Sequence, residues 1–456
     1  MKSRMPPSRP ARRVSAQAPK HRHKLIVEHV LIASIRPRAN NPRRHCEAQL
    51  AKVVEVILEL GFAVPILVTQ DGEIIAGHAR YLAAMRLGLT HVPVIRLSGL
   101  SDAEIRALVI ADNQLAALSS WDEDVLGAEL ELLVLDETFE APASITGFEP
   151  AEIDALVFGD DFAAPDPADA TPPTPPPAPV TQLGDIWRAE GLSLRCGDAL
   201  NSADYAALLG EERADQGLTD PPYNERINGH VSGKGRTRHR EFVQVSGGLS
   251  DDAFIAFLTS ALTVMSGHAV PGALIYAFMD GAHLFHLFSA ARASHLIQKA
   301  LCTWAKTNAG MGSHYRSQTE HCAVFKSGEG PHVNNVQLGR FGRNRTTLWS
   351  YPGMNSFSRG RDAALALHPT IKPVGLLADA ILDASPRGGL ILDPFAGSGS
   401  TLIAAARVGR RAAGLELDPL HVDGAIGRIS AVTGAEFRRA SDGARWTDLA
   451  APQKED

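Results

Sequence analysis

Residues 388–416 constrain the fold of this chain more than any other stretch. GGLILDPFAGSGSTLIAAARVG presents an apolar strand ending in Asp393, a turn carrying Gly397 and Gly399, and a helix rich in Ala and Leu. The next strand, RAAGLEL, ends with Glu416, nineteen residues after Gly397. This is the layout of a nucleotide-binding βαβ unit in a parallel sheet, with glycines that let the backbone approach a ligand and an acid placed to take ribose hydroxyls. The third glycine of the dinucleotide fingerprint is absent, and no G-x-x-x-x-G-K-[ST] occurs in the chain. Both facts argue against NAD or a nucleoside triphosphate at this turn. The unit by itself leaves its ligand open.

A second motif narrows the chemistry. Thr219-Asp220-Pro221-Pro222-Tyr223-Asn224 follows the apolar pair Gly217-Leu218. Two prolines fix φ near −65° and carry no N–H, so the loop is rigid and its carbonyl oxygens face outward. An exocyclic amino group on a nucleobase is a poor nucleophile, because its lone pair is delocalised into the ring. If the Asp220 carboxylate and the Pro221 carbonyl accept its two hydrogens, the nitrogen can move toward sp³ geometry and expose the lone pair to an electrophilic methyl group. Tyr223 supplies a ring on which an extruded base can stack.

With DPPY and the glycine loop together, residues 183–436 resemble an S-adenosylmethionine-dependent DNA amino-methyltransferase. The resemblance implies a Rossmann-like α/β fold, catalysis by Asp220, Pro221, Pro222 and Tyr223, and a cofactor loop Phe395-Ala396-Gly397-Ser398-Gly399 with Asp393 before it and Glu416 after it. DPPY precedes the glycine loop, which is the circularly permuted β-type order. His368-Pro369-Thr370-Ile371-Lys372-Pro373 resembles the family's HPTQKP element, which implies a place for Lys372 near the methionine end of the cofactor. Gly197-Asp198 resembles the short element whose acid lies near the adenine, and Trp304-Ala305-Lys306 through Glu320 to Phe325-Lys326 resembles a WxK…E…FxK stretch. Within the family DPPY usually accompanies adenine N6 and SPPY cytosine N4, so the resemblance implies adenine N6 in double-stranded DNA, with cytosine N4 as the alternative. It also leaves a homodimer open.

The formal net charge of −6 speaks against a nucleic-acid partner only as a sum. Residues 224–350 carry thirteen Lys or Arg against seven Asp or Glu, while residues 149–169 hold seven acids and no base. Basic segments at 228–241 and 339–349 are candidates for DNA contact. Four scattered cysteines form no CxxC pair, so no metal site is expected. No apolar run is long enough to span a membrane and the first residues lack the centre of a secretory signal, which points to the cytoplasm.

At 456 residues the chain exceeds one ordinary domain. We expect a basic tail over 1–24, a domain over 25–158 with a helical extension, a Pro-rich acidic linker over 159–182, the methyltransferase domain over 183–436 and a polar tail over 437–456. The first domain reads as short strands and helices, with a hairpin turning at Asp71-Gly72. Asn41-Pro42-Arg43-Arg44 and Gly77-His78-Ala79-Arg80-Tyr81-Leu82-Ala83-Ala84 resemble elements of the ParB/sulfiredoxin-like nuclease superfamily, a smaller α/β fold. That resemblance implies a nucleotide-phosphate site at Gly77, His78 and Arg80, where a glycine and an arginine open a helix. His78 stands where partition proteins commonly carry an acid, and Ala79 where sulfiredoxins carry cysteine. A partition-type DNA-binding protein is the alternative function from another class, and an RNA or protein amide methyltransferase is disfavoured because its NPPY would follow the glycine loop.

Overall fold

Among the described residues two sheets form, one in each of two compact units, Met1–Phe148 and Glu149–Asp456. The computed structural model describes residues 25–136, 138–139, 141–159, 166–224, 248–307, 314–341, 343–353 and 371–451. The basic tail 1–24, the basic segment 228–241 and His368–Thr370 lie outside the described residues.

The first unit runs β1 (Val27–Leu31), α1 (Glu47–Leu60), β2 (Ile66–Thr69), β3 (Ile74–Ala76), α2 (His78–Arg86), β4 (His91–Leu97), α3 (Asp102–Ala117) and α4 (Glu123–Leu135). Its sheet has the order β1-β4-β2-β3, with β2 parallel to β4 and antiparallel to β3. The Asp71-Gly72 hairpin joins β2 to β3. Gly72 has φ +83°, and a Cβ there would meet the Ser34 carbonyl oxygen at 2.6 Å, so only glycine fits this turn. Ile32, Ile35, Ile66, Val68, Ile74, Val92 and Val94 fill the core beneath. Helix α3 starts at a reciprocal capping box between Ser101 and Glu104, which satisfies two backbone N–H groups at once.

The second unit continues with α5 (Pro150–Phe158), β5 (Ile186–Ala189), β6 (Leu192–Cys196), α6 (Ser202–Leu209), β7 (Ala214–Thr219), α7 (Asp251–Gly267), β8 (Ala269–Met279) and α8 (Leu284–Ala293). Then come β9 (Ile297–Lys306), β10 (Thr319–Lys326), β11 (Leu348–Tyr351), α9 (Val374–Ala384), β12 (Leu390–Asp393), α10 (Ser400–Arg407), β13 (Arg411–Glu416), α11 (Pro419–Thr433), β14 (Arg438–Arg439) and α12 (Trp446–Ala450). The sheet order is β11-β9-β10-β8-β7-β12-β13-β6-β5-β14. The five neighbours from β8 to β6 are parallel, and helices cover both of their faces. Leu376, Leu377, Ile381, Leu402, Ile426 and Ile429 line one side. Tyr205, Phe254, Leu258, Leu262 and Leu287 line the other. Strand β7 precedes β12 in the chain yet lies beside it in the sheet. That is the Rossmann-like arrangement in its permuted order, with a smaller α/β unit ahead of it.

Three segments differ from the sequence reading. Helix α5 belongs to the second unit, where its buried Asp154 pairs with Arg387 at 2.5 Å and Arg410 at 2.6 Å. The described part of the expected linker, 166–182, is packed: Asp166, Ala168, Asp169 and Thr181 are buried, and Thr181 Oγ1 donates to Asp423 at 2.6 Å. Proline excludes a long helix but not burial, and the short polar side chains of this segment find partners on α11. The expected C-terminal tail also docks, through buried Phe437 and Trp446, with Trp446 Nε1 donating to Asp423 at 2.8 Å.

Candidate active site

Parallel neighbours end on a common edge, so β6, β7, β12 and β13 deliver Asp198, Asp220–Tyr223, the glycine loop and Glu416 to one side of the sheet. Ligands of open α/β sheets bind outside these carboxyl ends.

At the end of β7, Asp220 enters a balanced buried network. Lys372 Nζ lies 2.5 Å from Asp220 Oδ2 and 2.7 Å from Glu320 Oε1. Lys306 Nζ reaches the other oxygen of Glu320 at 2.8 Å. The Tyr223 hydroxyl sits 2.6 Å from Asp220 Oδ1 and 2.8 Å from Glu320 Oε1, and accepts from Lys372 at 3.2 Å. One phenolic proton cannot serve both carboxylates, so two cations and two anions share this site by mutual neutralisation. Burial and the nearby Glu320 raise the Asp220 carboxyl above its ordinary range, against the pull of Lys372. Burial also pushes Glu320 up, but Lys372 and Lys306 outweigh it and hold that carboxyl at about 2. Burial lowers Lys372, and its two carboxylate partners more than reverse this. Glu320 is therefore the fixed anion and Asp220 the adjustable one. Lys372 stands in this network, beside Asp220.

Pro221 is buried, and Asn224 closes the loop with φ +60°. Its side chain accepts from Gly248 N–H at 3.1 Å and Leu249 N–H at 3.0 Å and donates to the Leu249 carbonyl at 3.0 Å. Asparagine tolerates the left-handed region where other side chains strain.

In the glycine loop Gly397 has φ +48° and Gly399 +76°, and a Cβ on Gly399 would meet Ile429 Cδ1 at 2.9 Å. Asp393 spends both oxygens on its own loop, accepting from Thr401 Oγ1 at 2.6 Å and Phe395 N–H at 3.1 Å. Burial pushes its carboxyl up to about 7. The half-buried Phe395 ring faces Phe257, with centroids 6.0 Å apart. On the next strand Glu416 accepts from Gly397 N–H at 3.1 Å and Asp418 N–H at 3.0 Å. Asp198 follows β6 and accepts from Leu200 N–H at 2.9 Å. Gly197 beside it leaves room for Asp204, whose Cγ would lie 3.0 Å from an added Cβ.

In the first unit Gly77 adopts φ +103° at the start of α2. The Arg80 guanidinium folds over it and donates to the Pro65 carbonyl at 3.3 Å, while Arg80 Nε is buried without a hydrogen-bond partner. His78 is buried and accepts from Arg38 N–H at 3.3 Å; burial lowers its pKa, which keeps the ring neutral.

The segment 339–349, read as a candidate DNA contact, is mostly spent internally. Arg343 is 1% exposed and bonds Asp379 and Asp383 at 2.8 Å each; Arg345 joins the same two carboxylates and the Tyr351 hydroxyl. Arginines spaced two apart on an extended stretch face one way, here toward the acids at successive turns of α9. Arg340 remains exposed, stacked on Phe341. Glu320 and Lys306, read as parts of a β-stretch resemblance, turn out to complete the Asp220 network. Arg428, on α11, carried no signal in the sequence, because only packing brings its Nη1 to the Ser398 carbonyl of the glycine loop at 3.1 Å. Among the described residues no His, Cys, Asp or Glu group could hold a metal ion, and no helix is long and apolar enough to cross a membrane.

Residues 215–426 match the family described as DNA methylase, and residues 16–114 match the ParB N-terminal domain. The ParB-like nuclease domain-containing protein YnaK of Escherichia coli K12 is 43% identical over 81 residues, 18% of this chain and 93% of its own. The type II methyltransferase M.ScaI of Streptomyces caespitosus is 36% identical over 96 residues, 21% of this chain and 32% of its own, so the chain spans about a third of that enzyme. A crystal structure of an M1.HpyAVI–SAM complex overlaps 52% of this chain and 99% of its own at 16% identity and a TM-score of 0.38, a similarity too loose to argue from. The second unit thus carries a DNA methylase domain of the N6/N4 family over residues 215–426, and the first a ParB N-terminal domain within residues 16–114.

Proposed function

We propose that the second unit transfers a methyl group from S-adenosylmethionine to the exocyclic N6 of adenine in double-stranded DNA. The observation that carries this reading is the Asp220 network beside the glycine loop, on adjacent parallel strands. The residues at the strand ends fit the cofactor. Glu416 and Asp198 offer carboxylates to ribose hydroxyls and adenine, and the two positive-φ glycines keep the loop free of side chains where a ligand approaches. When bound, the cofactor supplies an electrophilic methyl group on a cationic sulfur.

The chain's own residues then handle the amine. Asp220 and the Pro221 carbonyl accept its two hydrogens, which localises the lone pair on nitrogen. Asp220 is free to do so because Lys372 has a second anchor: Glu320, ionised down to about 2, holds the ammonium while Asp220 turns to the base. As the C–N bond forms and the S–C bond breaks, the nitrogen must lose one proton. Asp220, whose carboxyl burial raises above its ordinary range, is the acceptor within reach.

For the first unit we infer DNA positioning, with the unpartnered Arg80 Nε beside Gly77 supporting a phosphate contact. Nucleotide binding there is checked by titrating nucleotides against wild type and Arg80→Ala, and self-association by sedimentation. The deciding experiment for the reaction is transfer of labelled methyl to unmethylated DNA, with product nucleosides resolved by mass spectrometry and Asp220→Ala alongside. N6-methyladenine from wild type alone is expected. N4-methylcytosine would keep the chemistry and change the base, and no transfer by either folded protein would overturn the reading.

A further inference from the structure

The Pro-rich segment from Asp166 to Thr181 lies against helix α11 along a face built to receive it. A Cβ on Gly424 would meet Pro173 at 3.4 Å, and one on Gly427 would meet Trp446 at 3.1 Å and the Thr174 carbonyl at 3.6 Å. At one end Asp423, fully buried, accepts from Val180 N–H at 2.7 Å and Thr181 N–H at 3.2 Å. At the other end Asp166 pairs with Arg407, the last residue of α10.

Between them stands Arg428, 1% exposed. Its Nη1 donates to the Ser398 carbonyl at 3.1 Å, Ser398 Oγ at 3.1 Å and Ser400 Oγ at 2.7 Å. Its Nε donates to the Thr171 carbonyl at 2.9 Å and its Nη2 to the Ala168 carbonyl at 3.3 Å. Every acceptor belongs to the glycine loop, the first residue of its helix or the Pro-rich segment. The nearest carboxylate, Asp169, is 4.0 Å away. A buried guanidinium with so distant a counter-ion is costly, and burial lowers its pKa to about 10. A side chain of similar length without charge would fill the space at lower cost, so the donors themselves are what this position requires.

Asp169 makes the second connection. Its Oδ1 accepts from Val374 N–H at 2.9 Å, capping α9 two residues after Lys372. Burial pushes this carboxyl up to about 6, against the pull of the Val374 N–H and Arg428. One short stretch thus touches both halves of the site, the loop that would hold the cofactor and the element carrying the lysine beside Asp220.

We propose that the Pro-rich segment is a working part of the methyltransferase site, with Arg428 and Asp169 as positioning residues that hold the glycine loop and the Lys372 element in register. The proposal rests on the reading of residues 395–399 as a cofactor loop, but its test can be read without the cofactor. Hydrogen exchange of the full chain is followed by mass spectrometry in wild type, Arg428→Met and Asp169→Asn. Losing charge-assisted hydrogen bonds should speed exchange about ten-fold or more at residues 397–402 in Arg428→Met. In Asp169→Asn it should speed exchange at 374–377, with β12 and β13 unchanged in both variants. A merely structural role would loosen the strands together with the loop. In parallel, calorimetry with S-adenosylhomocysteine should give about ten-fold weaker binding for Arg428→Met. Wild-type exchange at both places in both variants overturns the proposal. If Arg428→Met does not fold, Asp169→Asn decides alone through 374–377. If wild type fails to bind S-adenosylhomocysteine, the cofactor reading falls while the exchange result still decides the coupling.

Discussion

Lys372 Nζ is held 2.5 Å from Asp220 and 2.7 Å from Glu320, so one buried ammonium bridges a carboxylate at the end of β7 and one on β10. Removing one partner of such a cluster leaves a charge stranded, and typical costs are about 3–5 kcal/mol. Lys372→Met should therefore destabilise strongly at pH 8. The loss should be smaller at pH 5, because Asp220, its carboxyl already raised, then takes a proton and sheds the stranded charge. Urea unfolding at both pH values checks this, and an equal loss at both would count against Asp220 as the adjustable anion.

Methyl transfer should depend on pH through the same residue. Asp220 accepts amine hydrogens only when ionised, and burial raises its pKa, so activity falls on acidification before ordinary carboxylates titrate. Glu320 contributes to that rise by repulsion. Glu320→Gln should accordingly move the acid limb of kcat to lower pH, whatever it does to the maximum. A limb that stays in place would mean that another group governs it.

The parts of the fold and site set by local chemistry were legible in the sequence. The glycine turn, the Asp71-Gly72 hairpin and the two prolines of DPPY each fix backbone geometry within a few residues, and the pattern shows it. What was not legible depends on partners far along the chain. Glu320 reaches Asp220 only because β10 pairs with β8, which pairs with β7. The segment 166–182 looks like a linker by composition, and its burial follows from Asp423, Gly424, Gly427 and Arg428 on one helix more than 240 residues later.

Asp393 offers a separate test of burial at the glycine loop. Its carboxyl is raised from 3.8 to about 7, so its contribution to stability is fully present below its unfolded value and is lost as pH rises through about 7. Asp393→Asn keeps the shape and removes the titration. Wild type should lose stability relative to the variant between about pH 4 and 7, by at most about 1.4 kcal/mol per pH unit. Calorimetric melts across that range measure it, and parallel curves would contradict the shift.

The basic segment 339–349 places buried structural charge and exposed charge within a few residues of each other. Arg343 and Arg345 neutralise Asp379 and Asp383 in the interior, whereas Arg340 is exposed. Arg343→Ala leaves two buried acids short of a partner and should cost about 3–5 kcal/mol of stability. It should leave the salt dependence of DNA binding unchanged. If Arg340 meets a phosphate, Arg340→Ala should do the opposite, leaving stability within about 0.5 kcal/mol and reducing the slope of log affinity against log salt by about 1. Both variants are measured by urea unfolding and by DNA titration at several salt concentrations. A lowered salt slope for folded Arg343→Ala would return that arginine to the DNA-facing surface.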